Sequence, residues 1–219
     1  MTNEELKIIL NTGGKELGVT IEDKEADLFL KYLIELKEWN KKINLTAITD
    51  DKDIIIRHFL DSLTLVPFLS NKKNILDIGS GAGFPGIPLK IVLPELKVTL
   101  IDSVNKKIIF MRHVIRTLGL KEIEAVQARA ENAAIVKKFE NCFDVVTSRA
   151  FDDLSNFLDI AIPYAKREGI VLAMKGPKWI EELKKLKDLK SIEATMIKEI
   201  RLPFSDITTT VLIFKKDVV

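Results

Sequence analysis

The chain has 219 residues, 47% of them hydrophobic and 30% charged, which is enough to form the core of one domain plus a small subdomain. Its single cysteine excludes an intramolecular disulfide and, with only two widely separated histidines, argues against a metal site of the zinc type. The net charge of +2 permits nucleic-acid binding, and the lack of a signal peptide or of an apolar run of about 18 residues predicts a cytoplasmic protein with no membrane span.

The first third of the chain predicts helices. Residues 1–69 carry apolar side chains at helical spacing, most clearly over 27–40 and 53–63, and the second stretch stops near Pro67. We therefore predict an N-terminal helical subdomain over residues 1–69 and a second domain over residues 70–219.

A glycine-rich turn follows the first predicted strand, residues 74–78. Four glycines come directly after it, namely Gly79, Gly81, Gly83 and Gly86. Their spacing fits both the Gly-x-Gly-x-x-Gly fingerprint of dinucleotide sites and the Gly-x-Gly-x-Gly turn of enzymes that use S-adenosylmethionine (SAM). Asp77 favours SAM, because a carboxylate at the mouth of the turn repels a pyrophosphate and attracts the cationic groups of SAM. A glycine turn without any ligand is the remaining alternative.

The second predicted strand, residues 97–101, ends at Asp102. Asp102 follows Gly83 by roughly 20 residues, the spacing at which an acidic side chain accepts hydrogen bonds from a cofactor ribose. Aspartate also caps helices, and a helix is predicted over 104–118, so both roles are open for Asp102.

From residue 74 onward strands and helices alternate, which predicts a parallel sheet covered on both faces. Further strands are predicted at 122–127, 143–147 and 169–174, and further helices at 86–93, 130–138, 153–165 and 177–188. Two last strand-like runs, 191–202 and 207–215, have no helix between them and must pair antiparallel. Cys142 directly precedes an apolar strand and is predicted to be a small core residue rather than a nucleophile.

These elements resemble the class I SAM-dependent methyltransferases, whose Rossmann-like α/β fold has a seven-stranded, mostly parallel sheet with a C-terminal antiparallel hairpin. Nearly the whole chain is similar to the bacterial 16S ribosomal RNA guanine-N7 methyltransferase family, also called glucose-inhibited division protein B. The motifs that carry this likeness are Asn44-Leu45-Thr46, Arg57-His58 with Asp61-Ser62, Gly79 through Pro88, Asp102-Ser103 with Lys106-Lys107, Arg129-Ala130-Glu131 and Ser148-Arg149-Ala150.

The resemblance implies roles for individual residues. The residues expected to bind SAM are Asp77, Gly79, Gly81, Gly83, Phe84, Asp102, Ser103, Ala130, Glu131 and Arg149. Gly79 and Phe84 would line the methionine and adenosine part of the site, and Ala130 with Glu131 would hold the adenine. The residues expected to face RNA are Arg149, Arg129, Lys175 and His58. The family often has a basic residue before the last strand, whereas this chain has Thr208-Thr209-Thr210 there, which puts an RNA contact from that place in doubt.

Several of these residues also fit plainer interpretations. Arg149 fits an ion pair with a surface acid, and Arg57 with Asp61 fits an ordinary pair on one helix face. Residues 166–190 contain eight Lys or Arg and four Asp or Glu, a local charge of +4. This charge predicts either a surface that contacts phosphates or a solvated helix face.

The predicted function is SAM-dependent methylation of a guanine N7 atom in 16S ribosomal RNA. Guanine N7 carries a free lone pair, so its methylation needs no catalytic base, and none is predicted. The expected partner is 16S ribosomal RNA or the small ribosomal subunit, and the expected oligomeric state is a monomer. The alternatives are a nicotinamide-dependent oxidoreductase, suggested by Gly81-x-Gly83-x-x-Gly86 with Asp102, and a non-catalytic RNA-binding factor.

Overall fold

The computed structural model describes residues 1–149, 151, 153–186 and 192–216. Seven strands form one sheet, and they are β1 (Asn74–Ile78), β2 (Lys97–Asp102), β3 (Ile123–Gln127), β4 (Phe143–Arg149), β5 (Ala165–Lys175), β6 (Ile192–Arg201) and β7 (Thr208–Lys216). Their order across the sheet is β3-β2-β1-β4-β5-β7-β6. Strands β1 to β5 are parallel, and β7 lies antiparallel between β5 and β6. The predicted α/β fold with its terminal hairpin is confirmed.

The helices are α1 (Asn3–Glu16), α2 (Asp23–Asn40), α3 (Asp51–Ile54), α4 (Asp61–Leu63), α5 (Gly86–Val92), α6 (Asn105–Thr117), α7 (Ala133–Phe139), α8 (Leu154–Ala161) and α9 (Trp179–Lys184). A π-helical turn, Ile55–Leu60, joins α3 to α4. The helical prediction over residues 1–69 is wrong for 41–50, where the Asn40 side chain accepts hydrogen bonds from the amides of Leu45 and Thr46 and stabilises a turn. The part of the last predicted helix that runs over 187–188 lies outside the described residues.

The structure also shortens the predicted helix over 153–165. Helix α8 ends at Ala161, a 3₁₀ turn covers Ile162–Tyr164, and β5 then begins at Ala165. Pro163 has no amide hydrogen for a helical ladder, and Ala165 instead pairs with Phe143 of β4. The strand therefore starts four positions earlier than the apolar pattern at 169–174 predicts.

The two faces of the sheet have separate hydrophobic clusters. Helices α1, α2, α5 and α6 cover one face, where buried side chains such as Leu36, Phe59 and Leu100 belong to one continuous cluster. Helices α7 and α8 cover the other face around Val146 and Phe157. The N-terminal helices thus share their core with the sheet. The division of the chain into residues 1–69 and 70–219 stays a prediction.

An aromatic stack attaches the N-terminal helices to the glycine turn. The ring of Tyr32 on α2 lies 5.2 Å from that of Phe59 and 5.4 Å from that of Phe84, which follows the glycines. The Tyr32 hydroxyl donates a hydrogen bond to the buried carbonyl of Ala82 within the turn. Helix α2 therefore supports the turn by both packing and hydrogen bonding.

The prediction that Cys142 is a core residue is wrong, because its side chain is exposed. The buried run of β4 starts one residue later, at Phe143. The Cys142 amide donates to the carbonyls of Phe139 and Tyr164, and its sulfur lies 3.3 Å from the carbonyl oxygen of Glu140. The thiol therefore sits at the amino end of β4, away from the edge where parallel strands bind ligands.

Tyr32→Phe tests the attachment of α2 to the turn. The change keeps the ring but leaves the Ala82 carbonyl without its donor, so the free energy of unfolding should fall by about 1–2 kcal/mol. Urea denaturation of the purified protein measures this difference. Ile34→Ala, at an exposed position of the same helix, is the control and should change stability by less than about 0.5 kcal/mol. Equal stability of Tyr32→Phe and the parent would contradict the assigned role.

Candidate functional site

A cavity of about 360 Å³ opens at the carboxyl edge of the sheet. Ligands in open α/β folds bind at this edge, outside the carboxyl ends of the strands. The residues that line the cavity are Ile78, Gly79, Ile101, Asp102, Ser103, Val104, Lys107, Ala128, Arg129, Ala130, Glu131 and Phe151. The structure thus brings together five of the predicted SAM-binding residues and one of the predicted RNA-facing residues, Arg129.

The Asp102 carboxylate belongs to this lining and stands at the end of β2. One of its oxygens accepts from the Gly81 amide at 3.0 Å, and the other accepts from the Val104 amide at 2.8 Å. The ammonium of Lys107 is 3.8 Å from the first of these oxygens. Asp102 therefore links the glycine turn to the start of α6. Each carboxylate oxygen can still accept a second hydrogen bond, so the capping and ribose-binding roles are compatible.

The glycine turn uses its own amides internally. The amides of Gly79 and Ser80 donate to the carbonyl of Ile101, and those of Gly83 and Phe84 donate to the carbonyl of Ser80. The Gly81 amide is bonded to Asp102, as described above. A pyrophosphate needs such amides as donors. At this cavity the Asp102 carboxylate, which is bonded to the turn, stands in place of a set of free amides.

The glycines of the turn serve two different purposes. Gly79, Gly81 and Gly83 have φ of +70°, +60° and +95°, in the left-handed region that favours glycine. A Cβ atom at Gly79 would meet nothing within 4 Å, and one at Gly81 would approach only the Gly79 carbonyl, at 3.9 Å. At Gly83 it would lie 2.4 Å from the Ile87 side chain. Gly79 and Gly81 therefore keep space open, whereas Gly83 is required by packing.

Asp77 lies beneath the turn rather than at its mouth. Its side chain is fully buried, on the sheet face that the N-terminal helices cover. One carboxylate oxygen accepts from the Gly86 amide at 3.0 Å, and the other has no hydrogen-bond partner among the described residues. Burial raises the Asp77 pKa to about 8, although the Gly86 amide and the Arg149 charge oppose this shift. The site therefore contains a buried carboxyl group with one unsatisfied oxygen.

Arg149 ends β4 and lies on the same face as Asp77. Its guanidinium carbon is 4.8 Å from the centre of the Phe84 ring. Its Nη1 donates to the Asp61 carboxylate at 3.3 Å and to the Arg57 carbonyl at 3.1 Å. Asp61 is buried and also accepts from the Thr209 hydroxyl. The pair that the sequence allowed between Arg57 and Asp61 is replaced by a partly buried pair between Arg149 and Asp61.

The fold encloses the predicted site residues Phe84, His58 and Lys175. Phe84 is only 3% exposed and supports Arg149 from below instead of lining the cavity. His58 stacks on Phe84 at 4.6 Å, its Nδ1 donates to the Arg57 carbonyl, and its Nε2 accepts from the Thr46 hydroxyl. Burial and the Arg149 charge lower the His58 pKa to about 3, so the ring is neutral. A neutral, buried ring with both nitrogens bonded is not available to contact RNA.

Lys175, the third of these residues, is also enclosed. Its ammonium donates to the Glu182 carboxylate of α9 at 2.6 Å and to the Phe151 carbonyl at 2.5 Å. The lysine therefore holds α9 against the segment that follows β4, and it does not present a free charge to RNA. Other basic side chains nearby are exposed, namely Lys178, Lys184 and Lys185. Lys187 and Lys190 of the predicted basic segment lie outside the described residues.

Sequence reasoning missed several residues of the cavity. Ala128 and Phe151 follow the ends of β3 and β4 by one and two residues, so the strand-end rule applied to every strand predicts them. Val104 is an apolar side chain at the cavity that remains 43% exposed. Tyr164 does not line the cavity, but its hydroxyl donates a hydrogen bond to the carbonyl of the lining residue Ala130. No local sequence pattern predicts that contact.

Two further observations concern metal binding and membrane-spanning helices. Within the described ranges, no three His, Cys, Asp or Glu side chains lie close enough together to hold a metal ion. No helix in the part of the chain that the structure describes has both the length and the apolar character needed to cross a membrane.

The unusual protonation of Asp77 predicts a pH effect on stability. An aspartate with a folded-state pKa near 8 stays protonated in the folded protein while the unfolded chain ionises above its ordinary pKa. The free energy of unfolding should therefore fall, by this contribution, as the pH rises from about 5 to about 8. Asp77→Asn should remove that part of the slope in urea titrations of the ligand-free protein. Asp206→Asn, an exposed acid, is the control and should leave the slope unchanged.

The chain has clear relatives. The family described as GidB, rRNA small subunit methyltransferase G, matches residues 25–206. A ribosomal RNA small subunit methyltransferase G from Acetivibrio thermocellus is 42% identical over 221 residues, which cover 99% of this chain and 91% of the relative. A protein of the same name from Geotalea uraniireducens is 44% identical over 218 residues, with 98% of both chains covered.

Solved structures support the fold. TrmN from Thermus thermophilus superposes with a TM-score of 0.57 at 16% identity, covering 74% of this chain and 53% of that one. TYW2 from M. jannaschii, in complex with AdoMet, gives a TM-score of 0.51 at 16% identity and covers 68% of this chain and 70% of that one. Identities this low establish the fold alone. The match to residues 25–206 and the full-length relatives show that this chain belongs to the rRNA small subunit methyltransferase G family.

Proposed function

We propose that this protein transfers the methyl group of SAM to the N7 atom of a guanine in 16S ribosomal RNA. Its family membership makes it an rRNA methyltransferase with SAM as the methyl donor. The main support for the proposed SAM site is the cavity at the carboxyl edge of the sheet, because the Asp102 carboxylate belongs to its lining.

The cavity and the groups around it suit SAM in three respects. Asp102 offers carboxylate oxygens, the acceptors that two ribose hydroxyls need. Gly79 leaves open space beside the cavity, so a ligand can approach the backbone closely. Asp77 provides a buried acid with an unsatisfied oxygen, which a nearby cation would stabilise in its ionised form. When bound, SAM supplies a methyl group attached to a cationic sulfur, which is an electrophile.

Within this site we assign a role to each group of residues. Asp102 and Ser103 would hold the ribose, and Ala130 and Glu131 would hold the adenine. Gly79 and Gly81 would let the ligand approach the backbone of the turn. Asp77 would act through charge from beneath the turn. Gly83 and Phe84 would contribute indirectly, by packing the turn against α2 and supporting Arg149.

The chain itself must supply orientation rather than proton transfer. Guanine N7 attacks with its own lone pair, so no side chain has to remove a proton first. Arg149 is the residue best placed to orient the RNA, because its Nε and Nη2 have no partner among the described residues while Nη1 is bonded twice. A guanidinium held in this way can bind a phosphate or a base carbonyl with its remaining donors.

The same geometry argues against a nicotinamide-dependent oxidoreductase. The amides that would bind a pyrophosphate are already bonded to the Ile101 and Ser80 carbonyls and to Asp102. A carboxylate in the lining would also repel phosphate groups. An intact cavity with its acid in place likewise disfavours a non-catalytic RNA-binding factor.

The substrate is proposed to be 16S ribosomal RNA, free or within the small ribosomal subunit, and the site of action the cytoplasm. Arg129 and the exposed lysines Lys178, Lys184 and Lys185 would add sequence-independent contacts to phosphates. We propose that the protein acts as a monomer.

Asp102→Ala tests the cofactor site. The change removes charge-assisted hydrogen bonds to the ribose and should weaken SAM binding by roughly 1.5–3 kcal/mol. Isothermal titration calorimetry with SAM measures the loss. Asp153→Ala is a matched control, because Asp153 caps α8 and does not line the cavity. Unchanged SAM affinity in a folded Asp102→Ala protein would place the cofactor elsewhere.

Arg149→Ala tests the RNA-facing role. Methyl transfer from labelled SAM to 16S ribosomal RNA lacking the modification should fall by about 100-fold, since an aligning cation is lost. Base mapping identifies the methylated atom. Arg129→Ala removes an exposed arginine of the cavity lining and should have a smaller effect. Because Asp61 loses its partner in Arg149→Ala, circular dichroism must confirm folding. Normal activity of Arg149→Ala would remove Arg149 from the site.

A further inference from the structure

The π-helical turn before Asp61 creates an acceptor for Arg149. In an α-helix the Asp61 amide would donate to the carbonyl of Arg57, four residues earlier. Here it donates to the carbonyls of Ile56 and His58 instead. The Arg57 carbonyl accepts from Arg149 at 3.1 Å. A π turn inside a helix often marks a functional position, and this one directs a main-chain oxygen at the end of β4.

The Asp61 carboxylate is shared between two distant parts of the chain. One oxygen accepts from Arg149 on β4, and the other accepts from the hydroxyl of Thr209 on β7. Both Asp61 and Thr209 are buried. Without the hydroxyl, that carboxylate oxygen would be left unsatisfied or would turn toward the guanidinium. A basic side chain in place of Thr209 would instead compete with Arg149 for the same carboxylate.

We propose that Asp61 and Thr209 are positioning residues for Arg149, which they hold over the Phe84 ring with Nε and Nη2 left for an acceptor oxygen of the RNA. The proposal rests on the proposed function, because it assigns a substrate contact to Arg149. Three contacts, to the Asp61 carboxylate, the Arg57 carbonyl and the Phe84 ring, fix the guanidinium plane. Thr209 stands near the start of the last strand, at the place where the sequence put an RNA contact in doubt. Through its hydrogen bond to Asp61 it acts on the position of Arg149.

The test compares three variants of strand β7 in steady-state methylation of unmodified 16S ribosomal RNA. Thr209→Val removes the hydroxyl with little change of shape, and Thr209→Ser restores it. Thr210→Val is the matched control, because Thr210 is equally buried but points to the opposite face of the strand. We expect Thr209→Val to lower kcat/KM for RNA about tenfold with unchanged SAM affinity. Thr209→Ser should recover most of the loss, and Thr210→Val should behave as the parent.

A second measurement does not depend on RNA methylation. NMR of ¹⁵N-arginine-labelled protein should show separate Nη resonances for Arg149, assigned with Arg149→Lys, because the guanidinium cannot rotate freely. In Thr209→Val these resonances should broaden or merge, and in Thr210→Val they should not. Merged Nη resonances in the parent protein would overturn the proposal. A kcat/KM of Thr209→Val equal to that of the parent would also overturn it, and so would failure of Thr209→Ser to recover activity. If the parent shows the expected resonances but methylates no guanine, the proposed function fails and the positioning of Arg149 stands.

Discussion

The packing of Phe84 is the constraint on which the rest of the site depends. Its ring lies between helix α2, the π-helical turn and the end of β4, and it contacts Tyr32, His58 and Arg149. A buried aromatic ring with neighbours on both faces fixes its backbone closely, because close-packed interiors leave little room for movement. Since Phe84 follows Gly83 directly, this packing also fixes the glycine turn that borders the cavity.

Around this ring the protein places polar groups at or near the carboxyl ends of neighbouring strands. Asp102 ends β2 and reaches the cavity, where it holds the turn and α6 together. Asp77 and Arg149 lie under the N-terminal helices, and the Arg149 charge opposes the rise in the Asp77 pKa that burial causes. The N-terminal helices therefore do more than extend the core. They supply Asp61, the Arg57 carbonyl and the aromatic stack, without which the arginine at the end of β4 would have no fixed orientation.

The structural roles of the basic side chains near the site suit a reaction that needs alignment rather than proton transfer. The neutral, fully bonded His58 shows that the histidine nearest the site is used for packing. The lysine at the end of β5 is used to fasten α9 to the segment after β4. Groups that a sequence pattern marks as chemically active thus hold other groups in place, whereas the exposed Arg129 lies beside the cavity.

The sequence by itself determined the succession of strands and helices from residue 74 onward, the glycine turn, Asp102 as a cavity residue and the antiparallel end of the sheet. These features are local, since apolar periodicity, glycine spacing and the position of an acid at a strand end are all set within a few residues. Only the tertiary structure decided that Asp77 lies beneath the turn, that His58 and Lys175 are enclosed, and that Cys142 is exposed. It also paired Arg149 with Asp61, 88 residues away, and Thr209 with Asp61, 148 residues away. Partners this distant are chosen by how helices pack on the sheet, and no local spacing records that choice.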